Sequence, residues 1–229
     1  MSRIIYPLLS GGIDSTIATL KRISERRDFT KVQPIFINYG QKAWKQEWKS
    51  ACAVSEKMAD LFNKRRTVFH SPKRIDLHCA SADKLGIFQW SKSKIITGNS
   101  ADSPYIESRN LILLSVAASF VESQIKDSDE GIIVTGFRDE IPDTQREFVA
   151  LLNCLLAFLM SKTKKTIRVE APVIDYGPNG KAKMIKNFKE YQDIIESTWS
   201  CYIPENGKPC RKCEACRDRK QSLEYNGDA

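Results

Sequence analysis

Two groups of residues in this 229-residue chain have types and spacing suited to chemistry. The first is Ser10-Gly11-Gly12-Ile13-Asp14-Ser15. Consecutive glycines open backbone conformations closed to other residues and let N–H groups come close to a ligand. A helix starting just after them would add free amides and the positive end of its dipole, both favourable to an anion. Ser10 and Ser15 bring hydroxyls, and Asp14 brings a carboxylate for a metal ion. The set suits a pyrophosphate; read as a turn alone, a glycine pair also fits an ordinary strand-to-helix connection. No GK[ST] follows, which points away from the Walker type of kinase or motor ATPase. The second group is Cys201, Cys210, Cys213 and Cys216, spaced C-x8-C-x2-C-x2-C. Four thiolates at these intervals can close a tetrahedron around zinc and hold a tail with little core of its own. An iron–sulfur cubane is the rival occupant.

These groups need elements to position them. The apolar run Ile4 to Leu9 reads as a strand, and Ile17, Leu20 and Ile23 recur at helical spacing after the loop. A second strand is expected over Val32 to Asn38, then a helix carrying Trp44, Trp48, Ala51 and Val54, then a strand at Thr67 to Phe69. A helix over Ile106 to Val121 would carry Arg109 and Asn110 in its first turn. Gly131 to Thr135 reads as a buried strand, with Gly136 at its end open to close approach by a ligand. A charged loop, Arg138 to Asp143, precedes a helix from about Thr144 to Met160, and Ile167 to Val169 reads as a last strand. Such alternation gives an α/β fold, a Rossmann-like parallel sheet with helices on both faces. Ligands of these sheets sit beyond the carboxyl ends of the strands, so Tyr39, Gly40 and Gln41 should lie beside Ser10, near the adenine of a bound nucleotide. Residues 71–104 lose periodicity and are expected to form a lid over the substrate. The organisation expected is a catalytic domain over 1–195 and a zinc-binding segment over 196–229.

Composition, 41% hydrophobic and 28% charged, is that of a soluble protein. No signal-peptide pattern opens the chain, and the apolar run Phe148 to Met160 is below membrane-spanning length and broken by Asn153, so the expected location is cytoplasmic, with no membrane partner. That run leaves room for a homodimer interface. The net charge of +8 suits anionic substrates; its short basic clusters lack interleaved aromatics, which argues against specific nucleic-acid binding. Cys52, Cys79 and Cys154 stand singly and read as small core residues.

The chain also carries, in order, the Asn38 to Gln41 tetrad, Ser108-Arg109-Asn110, Pro142-Asp143, Ala171-Pro172 and Thr198-Trp199-Ser200-Cys201-Tyr202 ahead of the cysteine triplet. Together with the Ser10 to Ser15 loop, a signature of PP-loop ATP pyrophosphatases, these resemble the 7-cyano-7-deazaguanine synthase family over nearly the whole chain. The resemblance implies an AMP-forming C–N ligase of queuosine biosynthesis, which turns 7-carboxy-7-deazaguanine and ammonia into the amide and then the nitrile. It implies ATP and Mg2+ at Ser10, Gly11, Gly12, Asp14 and Ser15, with Tyr39, Gly40, Gln41, Arg109 and Gly136 around the nucleotide. It implies catalytic roles for Asp14, Arg109, Lys181 and Asp143, and Zn2+ on the four cysteines.

The family's Tyr-Pro-Asp-Cys-Arg is Ile141-Pro142-Asp143-Thr144-Gln145 here, and its Pro-Gly-Arg-Asn is Glu107 to Asn110. The ATP and zinc features are kept and the substrate side departs. A divergent relative is therefore also expected, one that stops at the amide or couples the acid to another amine, such as a protein amine. Two further readings are a PP-loop tRNA-modifying enzyme and a non-catalytic nucleotide-binding module. The four cysteines, committed to metal, and the absence of room for an RNA-binding domain speak against the first; Asp14 with both loop serines speaks against the second.

Overall fold

The computed structural model of the chain describes residues 2–26, 28–63, 68–77 and 108–224. Strand β1 (Arg3–Pro7) is central, flanked by β2 (Lys31–Val32) on one side and, on the other, by a strand that becomes β6 in chain order (Glu130–Val134). With β4 (Val68–Phe69) beyond β2 and β7 (Thr166–Glu170) beyond β6, the sheet runs β4-β2-β1-β6-β7, every pairing parallel. A parallel pair, β3 (Ile35–Asn38) and β5 (Lys73–Asp76), continues it, joined through a bridge between Leu8 and Ile35.

The strand expected over Val32 to Asn38 is thus divided in two. Gln33 N–H donates to the Ile5 carbonyl and Leu9 N–H to the Ile35 carbonyl, each at 2.8 Å, while Pro34 between them has no N–H to give. Ser71-Pro72 separates β4 from β5 in the same way. Strand β5 occupies the first residues of the segment expected as a lid; of the remainder, 78–104 lies outside the described residues.

Period-two alternation assigns each strand side chain to one of two cores. Ile5, Val32, Phe36, Ile132 and Val134 face α1 (Ile13–Glu25), α2 (Trp44–Phe62), and two short late helices, Lys181–Asn187 and Gln192–Glu196. Ile4, Tyr6, Ile35, Ile37, Ile133, Ile167 and Val169 face α3 (Arg109–Gln124) and α4 (Arg146–Met160). The late helices are α5 (Lys181–Asn187) and α6 (Gln192–Glu196), and α7 (Glu214–Glu224) packs beside α5. Helices therefore cover both faces of a parallel sheet, as the alternation implies. Asn153, the polar break in α4, exchanges two hydrogen bonds with the backbone of Val169, 2.7 and 3.0 Å, and so closes the free edge of β7. Among the described residues no helix is long and apolar enough to cross a membrane.

Candidate active site

Beyond the carboxyl ends of β1, β3 and β6 lies a cavity of about 350 Å3, within the range usual for small-molecule sites. The loop between β1 and α1 forms its floor. Gly11 has φ +78°, and a Cβ there would stand 2.5 Å from the Glu47 carbonyl and 2.9 Å from the Ala51 amide, so α2 packs directly on it. The Gly11 carbonyl accepts from the Ser50 hydroxyl and the Trp199 N–H, each at 2.8 Å. Helix α1 opens at Gly12, whose N–H donates to the Ser10 hydroxyl at 3.3 Å, and among the described residues no side chain caps the amides that follow, beside the cavity. Ser10 and Ser15 hydroxyls meet at 3.0 Å. At Gly136 a Cβ would come within 2.5 Å of the Ser15 N; the close approach this glycine permits is that of α1 itself, not only of a ligand.

One half of the cavity is densely charged. Asp14 stands 3.1 Å from Arg138 Nε and 3.5 Å from Lys181 Nζ. The Arg138 guanidinium is buried, pairs with Glu140 and donates to the Gly177 and Pro178 carbonyls at 3.1 and 2.8 Å. Lys181, the first residue of α5, also pairs with Asp218 on α7. Asp14 Oδ1 is buried and, despite the nearby arginine, accepts no hydrogen bond among the described residues. Burial raises the pKa of Glu140, opposed by Arg138.

The other half is built from Tyr39, Gln41, Glu47, Arg109 and Asn110. The Arg109 guanidinium lies over the Tyr39 ring at 5.9 Å, with its Nε buried and making no hydrogen bond among the described residues. Gln41 accepts from Tyr39 N–H at 2.9 Å and donates to Glu47 Oε2 at 2.8 Å. Desolvation pushes the Glu47 carboxyl up to about 7, held back by the Gln41 hydrogen bond and the charge of Arg109. Asp143 accepts from Asn110 N–H at 3.2 Å and so caps α3, whose own N-cap, Ser108, is left-handed and makes no side-chain cap. Asp143 does not line the cavity; nor do Gly11 and Gly40.

The third wall comes from the C-terminal knot. The sulfurs of Cys201, Cys210, Cys213 and Cys216 lie within 4.8 Å of one another. A tetrahedral zinc with Zn–S of about 2.3 Å needs sulfurs about 3.8 Å apart, so the set fits such an ion with small adjustments. Backbone N–H groups point at two of the sulfurs, Cys210 N to Cys201 Sγ at 3.3 Å and Cys213 N to Cys210 Sγ at 3.4 Å, which favours thiolate. Arg219 on α7 donates to the Thr198 hydroxyl at 2.7 Å and to the Ser200 hydroxyl at 3.3 Å, and Trp199 Nε1 donates to the Cys201 carbonyl at 2.7 Å. These bonds hold Trp199, Ser200 and Tyr202 against the cavity.

Ser10, Gly12, Asp14, Ser15, Tyr39, Gln41, Arg109, Gly136 and Lys181 are thus brought to one cavity. Sequence reasoning missed Arg138, Glu140, Asp218 and Glu47 there. The first two had a signal, since a charged loop directly after a strand of such a sheet falls on the ligand side; Asp218 and Glu47 had none.

Comparisons with known proteins give the family. The family model for queuosine biosynthesis protein QueC matches residues 4–227. The 7-cyano-7-deazaguanine synthase of Pyrococcus furiosus is 30% identical over 251 residues, covering 97% of this chain and 93% of that protein. That of Pyrococcus abyssi is 30% identical over 94% of this chain and 90% of that protein, and that of Prochlorococcus marinus 29% over 96% and 92%. With the loop, the cavity and the cysteine knot all inside the matched span, the chain belongs to the QueC family of queuosine biosynthesis proteins and is an enzyme of that family.

Proposed function

We propose that this enzyme cleaves ATP to AMP and pyrophosphate while adenylating the carboxylate of 7-carboxy-7-deazaguanine, and that ammonia then forms the amide. A second activation of the amide oxygen leads to the nitrile. The observation carrying this reading is the convergence of the α1 amides, Asp14, Arg138 and Lys181 in a cavity walled by the Trp199 to Tyr202 segment. A carboxylate is a poor electrophile, and attaching AMP to it supplies a leaving group. The loop amides, Lys181 and Arg138 would stabilise the charge on departing pyrophosphate, and Arg109 that on the α-phosphate side. Asp14 and Glu140, both paired with Arg138, bring two carboxylates to one place and would suit a magnesium ion, which when bound neutralises phosphate charge. Asp143 acts through its cap on α3, positioning Arg109 and Asn110.

Residues 1–195 then form the catalytic domain and 196–229 a zinc-braced segment completing its wall. Zinc, when bound, supplies a structural crosslink. A cytoplasmic location suits ATP supply and unoxidised thiols. A homodimer would cover the exposed stripe Leu151, Leu155, Phe158 and Leu159 on α4; sedimentation as a monomer would overturn it.

A second reading keeps the activation and changes the acceptor, ending at the amide or on another amine. It is favoured by Thr144, where the family has cysteine. Its hydroxyl donates to the Ile141 carbonyl at 2.9 Å and accepts from the Glu140 and Ile141 N–H groups at 3.1 Å, so it is spent on the turn. The test of activation is nucleotide analysis with ATP, magnesium, the acid and ammonia. Acid-dependent AMP and pyrophosphate support the proposal, whereas ADP, or AMP released equally without the acid, would overturn it.

A further inference from the structure

We infer that the Glu47 carboxylate, held by the Gln41 amide, reads the aminopyrimidinone edge of a guanine-like ring in the carboxylate substrate. This rests on the deazapurine acid proposed above as the substrate. Glu47 sits in the first turn of α2 and lines the cavity, and among the described residues it forms no ion pair with the Arg138 and Lys181 that hold Asp14. Both ends of the Gln41 side chain are committed, the oxygen to Tyr39 N–H and the nitrogen to Glu47, so Gln41 is a positioning residue that fixes the carboxylate's direction. Among the described residues Gln41 is the only hydrogen-bond donor to Glu47, and the carboxylate keeps acceptor capacity toward the cavity.

Desolvation leaves this carboxyl at about 7, so ionising it is costly, and a ligand that supplies donors regains that cost. A guanine-like edge offers two adjacent donors, a ring N–H and an exocyclic amine, matched to one carboxylate. Adenine offers one donor beside an acceptor, which would set the carboxylate against a lone pair. The edge chemistry therefore assigns Glu47 to the acid and not to the adenine of ATP.

The experiment is titration calorimetry of 7-carboxy-7-deazaguanine, and of the same acid lacking the exocyclic amine, against the wild type and Glu47→Gln, with AMP formation measured on the same preparations. The wild type should bind the amine-bearing acid about 10- to 100-fold more tightly, and Glu47→Gln should erase most of that difference while leaving the KM for ATP unchanged. No preference in the wild type, a preference retained in the variant, or a rise in the KM for ATP alone would each overturn the assignment. Selective binding without acid-dependent AMP would leave the Glu47 assignment standing and remove the ligase reading. Should Glu47→Gln not fold, Glu47→Asp takes its place, where the shortened carboxylate should lose most of the preference and a preference retained in full would overturn the assignment.

Discussion

The backbone N–H of Trp199 donates to the Gly11 carbonyl at 2.8 Å, tying the segment that leads into the cysteine knot directly to the loop between β1 and α1. The knot thereby braces a wall of the cavity, and metal removal should be felt in catalysis as well as in stability. Metal analysis of the wild type is expected to give about one zinc per chain. Cys213→Ser should lose that zinc, lower the melting temperature and cut AMP formation at least about tenfold. A variant without metal but with full activity would contradict the linkage, and bound iron in place of zinc would overturn the metal assignment.

Gly11 is held between α2 and the knot segment in a conformation that side chains rarely adopt. Gly11→Ala should destabilise the protein by about 2 kcal/mol or more, through positive φ and the 2.5 Å approach to the Glu47 carbonyl. Thermal unfolding measures it, and an unchanged melting temperature would mean that the loop relaxes freely.

Asp14 is only partly buried and takes no part in either core, so its removal should leave the fold intact. Asp14→Ala should lower AMP formation by at least about 100-fold with an unchanged circular dichroism spectrum. Normal AMP release would take Asp14 out of the reaction.

Glu47 makes a signed prediction about pH. Its carboxyl stands at about 7 in the folded chain against 4.5 when free, with Gln41 and Arg109 opposing the shift. Between those values the folded state holds more protons than the unfolded, so the group favours folding below about 4.5 and its contribution is lost as pH rises through about 7. Glu47→Gln should therefore gain melting temperature relative to the wild type between pH 5 and pH 8. A constant difference across that range would show that the carboxyl titrates normally.

The sequence was legible where local chemistry dictates structure. The glycine pair before a periodic helix marks the loop, the C-x2-C spacing marks the knot, and unbroken apolar runs mark β1 and β6. Pro34 was visible but its effect was not, because the neighbouring apolar residues carry the strand pattern across the missing donor. The resemblance implies a catalytic Asp143, and its bond from the Asn110 N–H, made across 33 residues, is one that no local pattern reports. Asp218 meets Lys181 across 37 residues and Ser50 meets Ser197 across 147, and no periodicity reports pairings at such separations.

Adenylation of the substrate carboxylate is the central claim, and oxygen transfer tests it directly. With the acid labelled by 18O in both carboxylate oxygens, attack on the α-phosphate and departure of AMP should carry one label into each AMP formed. Two labelled AMP molecules per nitrile, or one per amide, are the predicted results by mass spectrometry. AMP free of label, in the presence of product, would contradict the account.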